Sequence, residues 1–290
     1  MVRDFLELSR PKDWVKNVFV FMPVPFALAS GAHLDARVFG LGLLAFCLAN
    51  SAVYSFNDSL DADRDKVHDK KKHRPVASGR ISKPAAYAWA AMLAAGSLLV
   101  SLVSGSINAP IIVGTYLAVN VVYCLGAKHI ALLDVFLLAS GFVLRVLLGC
   151  ALLGVPPSNP MLLCSYALAL FVALAKRRAD VVKGLGSEHR PALQGYNEAF
   201  LDQAIGISAA LTIIGYALYS MEAPVLLPSR KFAALPFVVF GVLDYLRMAH
   251  VRHGGGSPVD MLLRSPTLLL TGIGWLLSTV WSLNWSHVAS

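Results

Sequence analysis

The 290-residue chain is 57% hydrophobic and only 14% charged, with 25 Lys and Arg against 17 Asp and Glu. A soluble domain carries about 25% charged residues, so a water-soluble globule is excluded and an integral membrane protein is expected. The net charge of +8 follows from where the basic residues lie and is no argument for a nucleic-acid partner.

A helix needs about 20 apolar residues to cross a hydrocarbon core roughly 30 Å thick. Nine windows near that length follow one another, at 15–30, 37–56, 84–103, 109–126, 131–153, 160–175, 199–219, 231–249 and 265–284. The first and sixth are short, and Pro23 and Pro25 interrupt the first, which is expected to bend or to enter obliquely. Seven charged residues from Arg3 to Lys16 precede that first window with no cleavage pattern after it, so it does not read as a signal peptide. The expected fold is all-α: a polytopic membrane helical bundle of about nine transmembrane helices, forming one catalytic domain over 1–290.

Short cytoplasmic loops carry the excess of Lys and Arg. With the N-terminus inside, every basic residue except Arg37, Arg145, Arg230 and Lys231 falls in an inner segment. This places the loops 57–83, 127–130, 176–198 and 250–264 on the cytoplasmic face, and in a bacterium the membrane is the inner one. Two of these loops, four spans apart, are rich in charge, which suggests two related halves without a residue-level repeat. Cys47, Cys124, Cys150 and Cys164 all sit in apolar windows without metal spacing and read as packing residues.

The segment "NDSLDADRDKVHDKKKHRP" at 57–75 follows the second window. In a helix continuing from that window, Asp58, Asp61 and Asp65 fall at i, i+3 and i+7, and Asn57 shares their face. Like charges at this spacing repel by a few tenths of a kcal/mol per pair unless a cation compensates them. Hard oxygen donors suit Mg²⁺, which fills its remaining positions with water and phosphate oxygens. The array therefore asks for a phosphorylated ligand. Of the basic residues after it, Arg74 is singled out, because Pro75 and Gly79 in "RPVASG" would give it a defined turn. His68 is a candidate phosphate partner or metal ligand, or an ordinary loop histidine.

The pattern N-D-x-x-D-x-x-x-D in "NDSLDADRD", together with "RPKDWVKN" at 10–17, resembles the UbiA superfamily of intramembrane prenyltransferases. The resemblance runs over nearly the whole chain. It implies a helical bundle around a lipid-facing cavity, with a Mg²⁺-bound diphosphate at the cytoplasmic mouth and Asp58, Asp61 and Asp65 as metal-binding and catalytic residues.

In the aromatic prenyltransferases of that superfamily a second acidic array, D-x-x-x-D, follows the sixth span. Here "KRRADVVKGLGSEHRPALQGY" stands in its place. Guanidinium and ammonium groups suit phosphate, not metal. The departure resembles the decaprenyl-phosphate phosphoribosyltransferase branch, whose K-R-x-x-E and downstream R and Y carry over onto Lys176, Arg177, Arg190 and Tyr196, with Asp180 in the glutamate's place. That branch moves 5-phosphoribose from phosphoribosyl diphosphate (PRPP) to a polyprenyl phosphate, for cell-envelope arabinose. The resemblance makes Lys176 and Arg177 catalytic, and Asn57, His68, Arg74, Asp180, Arg190 and Tyr196 substrate-binding.

A diphosphate leaving an anomeric carbon gains negative charge, so it needs neutralising, and the acceptor phosphate needs holding in line. A phosphate monoester is already an anion near neutral pH, so no strong general base is called for. Arg145, inside the fifth window, would cost about 2.5 to 3.5 kcal/mol unpaired and is expected to face a polar cavity as a substrate contact. Asp134 would pair with it only if folding brought another helix between them. Lys16 and Asn17 at the mouth of the first window are further phosphate candidates, although Lys16 also suits interfacial snorkelling. The loop "HGGGSPVDMLLRSP" at 253–266 reads as a flexible lid.

The competing reading within the fold is transfer of a prenyl group from a prenyl diphosphate to an aromatic or other acceptor; the missing second D-x-x-x-D counts against it. A secondary transporter would share the basic cytoplasmic mouths but has no need of the carboxylate face. The expected partners are PRPP, a polyprenyl phosphate and the lipid bilayer, with no nucleic acid. Subunit assembly is left open, a homo-oligomer included.

Overall fold

The computed structural model describes residues 2–67, 71–186, 190–251 and 265–285. All of its regular elements there are helices, with one isolated β-bridge between Leu226 and Leu283. The α-helices are α1 (Val2–Ser9), α2 (Val24–Ala29), α3 (Ala36–Leu60), α4 (Ala62–Lys66), α5 (Lys83–Leu102), α6 (Ala109–Leu125), α7 (Leu133–Leu152), α8 (Asn159–Val182), α9 (Glu198–Glu222), α10 (Leu235–Val251) and α11 (Pro266–Ser282).

Their starts are written in the sequence. Asp35 caps α3 by accepting from the amides of Arg37 and Val38 at 2.8 and 3.1 Å, and Asn197 caps α9 by accepting from Phe200 at 2.8 Å. Proline stands in the first turn of α5, α6, α8 and α11, where no intrahelical donor is lost.

Among the described residues six helical segments are long and apolar enough to cross a membrane: Ala36–Leu60, Lys83–Leu102, Leu133–Leu152, Asn159–Val182, Glu198–Glu222 and Pro228–Val251. Ala109–Leu125 is apolar but shorter. The expected count of about nine is thus not recovered at that length. The first window departs most. It is a 3₁₀ helix over Pro11–Phe21 followed by the six-residue α2, because Pro23 and Pro25 prevent an unbroken α-helix.

The chain divides into two compact units. The first comprises 1–24, 34–127 and 144–155. In it α3 packs along α5, and Gly42 of α3 lies where any Cβ would meet Leu152 of α7. Gly149 likewise leaves room for the backbone carbonyl of Val20 in the 3₁₀ helix, so this bent segment lies directly on α7. The second unit comprises 25–33, 128–143 and 156–290. Its centre is the pair α8 and α9, which close on each other at Gly215, where an added Cβ would come within 3.0 Å of the Cys164 backbone. The four cysteines are free, in keeping with a packing role.

Candidate active site

In the first unit the acidic motif begins on α3 and passes a joint. The helix ends at Leu60, Asp61 forms the corner at φ −85° and ψ −1°, and α4 resumes for one turn. The uninterrupted carboxylate face expected from the sequence is therefore broken at Asp61. The Asp61 amide still donates to Asn57 O and the Asp65 amide to Asp61 O, both at 2.9 Å, which keeps Asp58 and Asp65 on one side. Both are buried and both accept from the same nitrogen: Arg74 Nη1 lies 3.1 Å from Asp58 Oδ1 and 2.7 Å from Asp65 Oδ2. Lys71 Nζ stands 3.9 Å from Asp65.

Arg74 owes its position to the turn expected from its neighbours. Ser78 N donates to Arg74 O at 2.9 Å and Ile81 N to Pro75 O at 3.0 Å, and Gly79 takes the left-handed φ of 79° that glycine adopts without strain. Val76 and Ile81 of this turn are buried with Leu8, Ala62 and Ala86, which fixes it against α1 and α4. Arg80 locks the same surface, donating to Asp4, to both oxygens of Glu7 and to His73 O. The hydrogen bonds from Arg80 hold the Glu7 carboxyl below its ordinary range.

A residue that the sequence places in the motif "RPKDWVKN" but without a role of its own completes this cluster. Arg10 Nη2 reaches both oxygens of Asp58 at 2.7 Å, with its guanidinium 4.9 Å from the centre of the Tyr54 ring. Its backbone has φ 48° and ψ 59°, a left-handed conformation that costs a non-glycine residue about 1–2 kcal/mol. Burial works against the Arg10 charge, yet the Asp58 carboxylate outweighs it and holds the group above its ordinary value. The available signal was an Arg-Pro step at the start of an apolar segment.

Of the other first-unit candidates, Lys16 shares Tyr54 with Arg10, and Asn57, Asn17 and Arg145 make contacts elsewhere. Lys16 Nζ donates to Asp13 at 2.6 Å and to the Tyr54 hydroxyl at 2.8 Å. Asn57 Oδ1 lies 3.5 Å from the Cys124 thiol. Asn17 is buried and accepts from Arg145 Nε at 2.9 Å, while the Arg145 guanidinium sits 5.0 and 5.3 Å from the ring centres of Phe46 and Tyr116. Arg145 thus stands in a lined niche of amide and aromatic groups. The conditional pairing with Asp134 is not made: Asp134 belongs to the second unit and bonds elsewhere.

In the second unit α8 runs past its apolar stretch to Val182, so Lys176, Arg177, Arg178 and Asp180 lie on a helix where a loop was expected. Arg177 and Asp134 are 1% and 0% exposed, and Arg177 Nε donates to Asp134 Oδ2 at 2.7 Å. The Tyr196 hydroxyl donates to Asp134 Oδ1 at 2.7 Å and accepts from the Leu132 amide at 2.6 Å. Burial first, then the bond to Asp134, raises the Tyr196 phenol above its ordinary value, so it remains a donor. Asp180 lies 3.7 Å from Arg177 Nη1, and Lys176 is exposed at the helix surface. Arg190 Nη1 is 3.8 Å from Asp134 Oδ2, beyond hydrogen-bond reach, and this buried nitrogen has no hydrogen-bond acceptor among the described residues. Arg178 turns away to Asp202 and to Ala249 O, joining α8 to α9 and α10. His68 and most of the 253–266 loop, Arg264 included, lie outside the described residues.

The structure also brings out a short internal repeat that the reading of the two halves missed. Residues 73–79 are H-R-P-V-A-S-G and residues 189–195 are H-R-P-A-L-Q-G. The arginine of each is directed at a buried aspartate.

Among the described residues no three His, Cys, Asp or Glu side chains converge closely enough to hold a metal ion. Asp58 and Asp65 nevertheless fit a hard divalent cation in their chemistry: both are carboxylates, and together they already draw one cationic nitrogen between them. Mg²⁺ commonly takes one or two protein carboxylates and completes its shell with phosphate and water.

A profile of the UbiA prenyltransferase family matches residues 17–254. The chain is 30% identical to the decaprenyl-phosphate phosphoribosyltransferase of Mycolicibacterium smegmatis, over 95% of this chain and 91% of that one. It is 30% identical to the enzyme of the same name from Corynebacterium glutamicum, over 95% and 85%. Its fold is similar to that of a UbiA homolog from Archaeoglobus fulgidus bound to DMAPP and Mg²⁺, with a TM-score of 0.76 at 20% identity, covering 95% of this chain and 98% of that one.

Proposed function

Because the chain belongs to the UbiA prenyltransferase family, and is with it an integral membrane transferase, we propose that it transfers 5-phosphoribose from PRPP to a polyprenyl phosphate such as decaprenyl phosphate. Diphosphate is released, and the product serves as a cell-envelope arabinose precursor. The observation that carries this reading is Arg190 Nη1, a buried cationic donor beside Asp134 with no acceptor of its own among the described residues. A buried donor left unmade costs about 1–3 kcal/mol, and a phosphate oxygen would relieve it. A prenyl diphosphate would relieve it as well, so what separates the two donors is the absence of a second D-x-x-x-D array after the sixth window. The relatives named for this reaction, at 30% identity over nearly the whole chain, support the same reading.

Each charged cluster would have its own task. Asp58 and Asp65, with Asp61 at the corner, would hold Mg²⁺, which when bound neutralises the diphosphate leaving group. Arg74, fixed by its turn, would contact the diphosphate. Arg190 and Lys176 would bind phosphate oxygens, and Arg177 would act beside them on a charge held in place by Asp134, Asp180 and Tyr196. Bond cleavage at the anomeric carbon places the electron pair on the diphosphate, while an oxygen of the acceptor phosphate forms the new bond. No proton has to be removed from that oxygen. Asn17 and Arg145 would offer a further phosphate contact in the first unit. We place the N-terminus and both charged clusters on the cytoplasmic side of a bacterial inner membrane. The shorter α6, α11 and the broken segment 11–29 supplement the six long spans, giving about nine passages in one catalytic domain.

The test is direct. Purified protein is incubated with Mg²⁺, polyprenyl phosphate and PRPP labelled in the ribose, and in parallel with a prenyl diphosphate and 4-hydroxybenzoate. Label is expected in the lipid fraction of the first mixture, and EDTA should abolish it. Product in the second mixture alone would assign the chain to aromatic prenyl transfer instead.

A further inference from the structure

Arg10 poses a problem that the proposed reaction does not by itself resolve. Its Nη2 alone bonds both oxygens of Asp58, its ring partner is Tyr54, and its backbone is held in a left-handed conformation immediately before Pro11. Strain of this kind persists only where surrounding contacts over-determine it, and it gathers at functional sites. Ordinary stabilisation of the loop would not require an arginine here, because glycine adopts this φ without cost.

The charge balance shows what the residue does. Asp58 and Asp65 are within 4 Å of Arg10, Arg74 and Lys71. Even with Asp61 counted, the negative charge is already matched. Among the described residues a free divalent ion entering this array would meet three resident cations and no uncompensated carboxylate, and it could bind only by expelling one of them. A metal arriving on a diphosphate is different. The diphosphate carries its own negative charge and offers oxygens that a guanidinium accepts as readily as a carboxylate. An arginine can then leave Asp58 to the metal and keep an ionic partner throughout.

We infer that Arg10 is a resident counter-cation, which closes the acidic array to a free divalent ion and passes its guanidinium to the diphosphate that arrives with the metal. The inference rests on the diphosphate site proposed above. It makes Arg10 a contact of the donor substrate and gives binding an order: metal and diphosphate enter together, and metal alone is held off.

Mn²⁺ binding to the full chain in detergent, followed by electron paramagnetic resonance, reads this without turnover. Arg10→Gly removes the ion pair and the strain together, and its melting temperature checks that it folds. It is expected to bind Mn²⁺ alone about tenfold more tightly, because a competing charge is gone, and to bind the Mn²⁺–pyrophosphate complex about tenfold more weakly, because a charge-assisted guanidinium contact is gone. Effects of opposite sign on the two probes are the signature. Equal binding of both probes, or weaker binding of Mn²⁺ alone, overturns the inference. Should Arg10→Gly fail to fold, Arg10→Lys decides: it should match wild type within about twofold on Mn²⁺ alone and bind the complex several-fold more weakly, and wild-type affinity for the complex overturns the inference. If the wild-type protein captures no Mn²⁺–pyrophosphate, the diphosphate site itself is wrong. If it does and the variants are indistinguishable from it, only the role of Arg10 fails.

Discussion

The two units solve one packing problem with opposite charges. In each, a residue at the start of a segment, Arg10 just before the 3₁₀ helix and Asp134 in the first turn of α7, pairs with a residue near the end of a long helix. Arg10 meets Asp58 at 2.7 Å in the first unit, and Asp134 meets Arg177 at 2.7 Å in the second. An Arg of an H-R-P-x-x-x-G turn then approaches the aspartate of each pair, Arg74 at 3.1 Å and Arg190 at 3.8 Å. The polarity is reversed, and so is the chemistry on offer. Where the long helix carries carboxylates the cluster suits a metal-bound diphosphate; where it carries guanidinium groups it suits a phosphate. The settings differ as well: Arg10 is 24% exposed, whereas Arg177 and Asp134 are dry. On the proposed reading the first pair exchanges for a ligand, while the second stays as a structural pair.

The largest effect expected from this contrast is on turnover. Asp58→Asn or Asp65→Asn should lower phosphoribosyl transfer by about two to three orders of magnitude, the usual worth of charge stabilisation at a leaving group. The protein should still insert and melt within a few degrees of wild type. Less than a tenfold loss in label transfer would break the assignment of the first cluster. The second pair should behave in the opposite way. Asp134→Asn strands a buried guanidinium and should destabilise the protein by about 3–5 kcal/mol, read as a fall in detergent melting temperature larger than that of Asp58→Asn. A smaller fall for Asp134→Asn than for Asp58→Asn would erase the distinction between exchangeable and structural pairs.

Tyr196→Phe sharpens the same point at lower amplitude. It removes one donor to Asp134 and one acceptor for Leu132, and should cost about 1–3 kcal/mol in the same melt. Because the phenol is held above its ordinary value of 10, wild-type activity should show no step from Tyr196 below pH 10. The smallest effect belongs to the exposed Glu7–Arg80 clamp. Arg80 depresses Glu7 below its ordinary value of 4.5, so the clamp's contribution is complete above pH 4.5 and is lost as pH falls through the lower folded value. Arg80→Ala should remove this acid sensitivity from the melting curve and change little at neutral pH.

Much of this was legible in the chain. Apolar windows located the long helices because a period-free hydrophobic run of 20 residues has few other solutions. The motif residues were legible because carboxylates and guanidinium groups are rare in such a chain. What escaped was set by tertiary context. Pro23 and Pro25 announce a break in the window 15–30, but not that the segment before it, Pro11–Phe21, is a 3₁₀ helix whose Val20 carbonyl lies against Gly149. Asp61 has helical spacing on paper, yet it becomes a corner once Asp58 and Asp65 are drawn to Arg74. Arg10 stands in the motif "RPKDWVKN" without a legible role, because a partner 48 positions away on α3 cannot be read from spacing. Asp134 was weighed against Arg145, its sequence neighbour, because a partner 43 positions away on α8 cannot be read from spacing.

The division of labour between the clusters is the central claim, and Arg190→Ala tests it most directly. Initial rates of transfer are measured while Mg²⁺, PRPP and polyprenyl phosphate are varied in turn. The side chain makes no hydrogen bond through Nη1 among the described residues, so the melting temperature should hold. Loss of one hydrogen bond to a charged group is worth about 1.5–3 kcal/mol. The account therefore predicts a rise of about tenfold or more in KM for one of the two phosphorylated substrates, with the Mg²⁺ activation curve unchanged. A shifted Mg²⁺ requirement with both substrate KM values intact would contradict it.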